Sequence, residues 1–141
     1  MRQIKFRGKR IDEPHYWITG GYIEWTDAKG YKWNQIVFSN GHHNDVIPET
    51  VGQFTGLLDS NGTEIYEGDI IKFCVSGDEI VRAVEWDIPT NTYWLGDDFF
   101  WRRRIQNTTD FMITKFHVKG IFKIIGNKFD NPELLKTECD E

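Results

Sequence analysis

Nowhere along this chain do apolar residues keep up the three- and four-residue spacing of a long amphipathic helix. Short runs of β-branched and aromatic residues recur instead, separated by Gly, Asn and Asp. Such a pattern commits most of the chain to strands, with extended pieces expected at residues 4–7, 16–25, 31–38, 70–75, 79–86, 93–95 and 112–125. The expected fold class is mainly β, a β-rich α+β arrangement. Six Trp, five Tyr and ten Phe supply core volume that the scarce Leu and Met do not. With 39% hydrophobic and 28% charged residues the composition is that of a folded chain, not a disordered one. A length of 141 residues suits one domain. The charge change and the loop residues 39–44 would divide it into lobes 1–50 and 51–141.

The richest local signal lies between residues 70 and 86. Ile71, Phe73 and Val75 share one face of an extended segment. After a Ser76-Gly77-Asp78 turn, Ile80, Val84 and Trp86 do the same, with Arg82 as the exception. Two paired, largely buried strands follow. Asn61-Gly62 reads as another tight hairpin connection, because both residue types tolerate positive φ. In the segment 112–125, Phe116, Val118, Phe122 and Ile124 alternate with Lys115, His117, Lys119 and Lys123, giving one apolar and one basic face, with Gly120 placed for a bulge. One short C-terminal helix is expected, with Asn131 as its cap and Pro132 in its first turn, followed by Glu133, Leu134 and Leu135.

The formal charge of −5 excludes a molecule that is electrostatically a glove for a phosphate backbone, so any nucleic-acid contact needs a local patch. Two basic zones bracket an acidic middle. Arg2, Lys5, Arg7, Lys9 and Arg10 open the chain, and Arg102, Arg103, Arg104, Lys115, Lys119, Lys123 and Lys128 face only Asp110 between residues 99 and 128. The two cysteines, Cys74 and Cys139, sit in no metal-ligand or redox spacing, so neither a disulfide framework nor a structural zinc site is expected. No apolar stretch follows the basic opening as a secretory signal requires, and none approaches the ~20 residues of a membrane span. A cytosolic protein is the expectation.

Val51-Gly52-Gln53-Phe54-Thr55-Gly56-Leu57-Leu58-Asp59, then Asn61-Gly62, then Glu64-Ile65-Tyr66-Glu67-Gly68-Asp69-Ile70 resembles the central signature of the YopX family of phage and prophage proteins. The opening Met1-Arg2-Gln3-Ile4-Lys5-Phe6-Arg7, the middle Val84-Glu85-Trp86-Asp87, and Ile124-Ile125-Gly126-Asn127 with Asn131-Pro132-Glu133-Leu134-Leu135 extend the resemblance over nearly the whole chain. Gly8-Lys9-Arg10 departs from it, standing where the family usually carries a Trp-containing segment. The resemblance implies a β-rich fold with a partly open, barrel-like core, a phage or prophage origin, the bacterial cytoplasm as the place of action, and no assigned catalytic residues.

Candidate chemistry is sparse. Glu67 and Asp69 flank Gly68 and would suit acid and base roles if one carboxyl were desolvated, with Asp87 as a third acid; a turn in which Asp69 accepts backbone N–H groups is the favoured reading. His42, His43, Asn44 and Asp45 put potential ligands side by side, but neighbours in a loop rarely converge on one ion, so a polar loop is expected and no metal or cofactor. His15 and His117 read as isolated surface or strand-face residues. No nucleophile elbow and no phosphate-cradling loop occurs. Trp94 and Trp101 beside Arg102, Arg103 and Arg104 form the one aromatic and basic cluster suited to stacking bases and neutralising phosphates. The expectation is a non-enzymatic binding module whose partner is a host or phage protein ahead of single-stranded nucleic acid, with no membrane contact and with a homo-oligomer as a fitting state.

Overall fold

The structure, a computed structural model, describes residues 3–75, 77–87, 92–95 and 122–135. The chain divides into two compact units, Met1–Gly56 and Leu57–Glu141. The described elements are almost all strands, as the alternating sequence pattern requires.

In the first unit, β1 (Phe6–Lys9), β2 (Trp17–Thr26), β3 (Lys32–Val37), β4 (His43–Asp45) and β5 (Gly52–Leu58) form one antiparallel sheet in the order β4-β3-β2-β1-β5. Asp27 builds the β2–β3 turn: its Oδ1 accepts the backbone N–H groups of Lys29 and Tyr31, and Gly30 takes φ +87°. β2 and β3 then run in strict register from Gly21–Val37 to Thr26–Lys32. Gly20 permits this close approach, since a Cβ there would sit 2.3 Å from the Val37 carbonyl oxygen. Ile36 and Val46 are fully buried and Phe54 nearly so, and together they mark the unit's core. A single 3-10 turn, Pro48–Thr50, leads into β5, and Thr50 ties it down by accepting the Lys9 N–H and donating to the Ile47 carbonyl.

β5 carries the chain into the second unit, where the Asn61-Gly62 hairpin turn leads to its partner β6 (Glu64–Tyr66). Gly62 has φ +83°, as the sequence demands. A second sheet follows from β7 (Asp69–Val75), β8 (Asp78–Asp87), β9 (Thr92–Leu95) and β10 (Lys123–Asn127), ordered β10-β7-β8-β9. β7 and β8 pair from Ile70–Ala83 to Val75–Asp78, which is the ribbon read from residues 70–86. Ile70 and Ile71 are both at zero exposure although they point to opposite faces, so this strand is covered on both sides. Phe73 and Phe122 meet edge-to-face at 5.4 Å beside them.

Three expectations need correction. The barrel-like core is not found: the described residues form two antiparallel sheets and no closed barrel. The residues that follow β1 and β4 do meet, the Asp45 carbonyl accepting the Ile11 N–H and the Lys9 carbonyl that of Ile47, but the pairing is one isolated bridge, Arg10 with Val46, too short for the ladder that closure requires. The C-terminal helix is one 3-10 turn, Pro132–Leu135. Asn131 does not cap it with its side chain, since Oδ1 is spent on the Asn127 N–H across the opening left by Gly126. Finally, residues 43–45 form a strand and not a loop, because β3 offers them a free edge. A β-bulge does occur near the chain's end, between Ile124 and Gly126; Gly120 lies outside the described residues.

Candidate binding groove

Alternation along β2, β3 and β4 decides which side chains meet. Trp25 lies directly opposite Trp33, and Gln35 opposite Asp45, so all four share one face of the first unit's sheet. The two indoles stack at 5.8 Å between centroids with only 16° between their planes, and Tyr31 packs its edge against Trp33 at 4.7 Å. Ile11 and Asp12, from the segment after β1, and His43 and Asn44 complete a groove of about 480 Å³. Trp25 keeps 43% of its surface exposed and Tyr31 58%, a large uncovered aromatic area.

The rings are pinned from their polar ends. Trp25 Nε1 donates to Gln35 Oε1 at 2.9 Å, and Gln35 Nε2 donates to Asp45 Oδ1 at 2.9 Å, a chain of bonds across three strands. Gln35 is buried, so this satisfaction is required and the amide orientation follows from it. Trp33 Nε1 donates to Asp27 Oδ2 at 3.1 Å. That indole bond, joined by the backbone N–H groups of Tyr31 and Lys29, holds the Asp27 carboxyl below its usual range. Arg10 grips Asp12 through two bonds, 2.9 and 2.6 Å, which lowers the acid's pKa as well. Asp45 has no basic partner among the described residues. The groove therefore joins exposed ring faces to a carboxylate that no cation of the described chain neutralises.

The sequence-predicted sites fare differently. Trp94 lies on β9 opposite Glu85 by register, and its side chain is outside the described residues, as are Trp101, Arg102, Arg103 and Arg104. Asp69 is the turn-builder expected of it: it is buried and accepts the Tyr66 N–H at 2.7 Å, while Gly68 takes φ +89°. His42 and His43 do not join a cluster of three potential metal ligands among the described residues. His15 lies against Tyr16 in a tilted pair at 4.4 Å, and both residues are exposed; His117 is outside the described residues. The groove itself escaped the sequence reading. Its signal was present, however: two tryptophans equidistant from the Asp27-to-Tyr31 turn face one another once the hairpin register is drawn.

No helix among the described residues is long and apolar enough to cross a membrane. No curated protein matches the chain. A family model described as YopX protein matches residues 5–136. The Val51-to-Ile70 signature falls within that span, its strands being β5, β6 and the start of β7, and with the match covering nearly the whole chain, this protein belongs to the YopX family.

Proposed function

We propose that this is a phage- or prophage-encoded accessory protein of the bacterial cytoplasm, a non-enzymatic module that binds a host or phage protein through the Trp25–Trp33 groove. One observation carries the reading: two stacked indoles, each fixed by its own N–H bond, line an open groove in which Trp25 stays 43% exposed beside a half-buried Trp33. Rigid aromatic surface of this kind loses little entropy when covered, which is why Trp and Tyr are enriched at the centres of protein interfaces. A chain with few sites for chemistry and a preformed aromatic face fits a binding role.

The test is capture from bacterial lysate on the immobilised full chain, with Trp25→Ala as control. Loss of a discrete captured protein in the variant supports the groove as its site. Equal capture by both chains overturns it. Single-stranded nucleic acid retained in place of protein, with steep salt dependence and loss on charge reversal at Arg102, Arg103 and Arg104, would move the binding function to the Trp94 and Trp101 cluster.

A further inference from the structure

We propose that the groove receives an arginine side chain of the partner, its guanidinium laid on the exposed Trp25 ring of the indole pair and its charge met by Asp45. The proposal rests on the groove being the binding surface and names what fills it.

Charge complementarity selects a cation. Asp12 is already matched by Arg10, whereas Asp45 receives only the neutral Gln35 amide. Asp27 is likewise met only by N–H donors, those of Trp33, Lys29 and Tyr31. An anionic ligand would meet Asp45, the groove carboxylate with no basic partner among the described residues. A sugar would gain ring contact but find both indole N–H donors spent inside the chain.

The ring faces point the same way. Elsewhere the chain lays its own cations on its rings: Arg7 over Trp17 at 4.7 Å, Lys5 over Phe54 at 5.0 Å and Lys128 over Phe129 at 5.3 Å. Among the described residues no such cation lies over Trp25, Trp33 or Tyr31. Arginine suits the site better than lysine, because a planar guanidinium stacks on an exposed indole while its N–H fork reaches a carboxylate. A compact ammonium does only the second.

The experiment titrates the full chain with the blocked pentapeptide Gly-Gly-Arg-Gly-Gly and with its citrulline, Lys and Glu counterparts, following the indole N–H signals by NMR. Citrulline keeps the planar shape and removes the charge. Saturable shifts of the Trp25 and Trp33 signals are expected with the arginine peptide. Citrulline should bind about tenfold or more weakly, and Asp45→Asn should cost about the same, being able still to accept from Gln35. Unchanged indole positions in the free variant would show that its groove is intact. Equal binding of arginine and citrulline, full affinity in Asp45→Asn, or no shift with any peptide overturns the proposal, as does binding of chitotriose in place of the arginine peptide. If lysate capture depends on Trp25 but the arginine peptide does not compete, the proposal fails while the groove remains the binding site. If capture ignores Trp25, both fall.

Discussion

Asp59 shows how much one side chain organises. It is 8% exposed, and its Oδ1 accepts the N–H groups of Asn61 and Thr63 while Oδ2 accepts that of Ile124, sixty-five positions away. Burial alone would raise its pKa, but the three backbone donors outweigh that and hold the carboxyl below its ordinary value of 3.8. A depressed carboxyl contributes stability that is present above the unfolded value and is lost as the pH falls through the folded one. Asp59→Ala should therefore destabilise by about 2–4 kcal/mol at neutral pH, since it strands three donors, two of them in a tight turn. Asp59→Asn should cost less and flatten the acid limb of stability against pH below about 4, both measurable by denaturant unfolding across pH. Gly68 makes a different demand. Its φ of +89° and a would-be Cβ 3.0 Å from the Phe129 ring predict a loss of about 1–3 kcal/mol for Gly68→Ala; a melting temperature equal to wild type would contradict this account.

At the scale of elements, the β2–β3 hairpin is a pair of strands held in register by their turn. Asp27 closes the turn with two backbone bonds and at the same time fixes the Trp33 indole, so the turn and the groove share one residue. Asp27→Asn would retain one acceptor oxygen and lose the charge that favours all three donors. Tryptophan fluorescence of the wild-type chain should stay constant down to the ordinary carboxylate range and change only below it, because the folded carboxyl is depressed. In Asp27→Asn that acid transition should disappear; its persistence would place the titrating group elsewhere. The β7–β8 ribbon presents the contrasting case, a strand pair that buries Ile70, Ile71, Phe73, Ala83 and Val84 and whose identity needed no turn chemistry beyond Gly77 at φ +86°. Its apolar run is legible because the side chains it buries are the apolar ones of the sequence pattern. β4 was not legible: three polar residues carry no alternation of hydrophobicity, and only the free edge of β3 makes them a strand.

For the whole molecule, the net charge of −5 sets the terms on which partners approach. A partner meeting the groove with one cation should lose affinity only gently with salt, whereas several phosphate contacts would give a steep logarithmic slope. Measuring capture between about 50 and 300 mM salt separates the two; a steep slope abolished by charge reversal at Arg102, Arg103 and Arg104 would count against the groove. The strand-dominated class, the ribbon at residues 70–86, the turns at Asn61-Gly62 and Gly68, and the family were all determined by the sequence alone. Each depends on interactions local to a strand or turn, where side-chain period and backbone preference act residue by residue. Which strands became neighbours was decided only in three dimensions, and with it the meeting of Trp25 and Trp33, the bond chain through Gln35 to Asp45, and two antiparallel sheets in place of a barrel. Strand pairing joins residues through backbone groups that every amino acid carries, so hydrophobic pattern alone does not reveal which edges will meet.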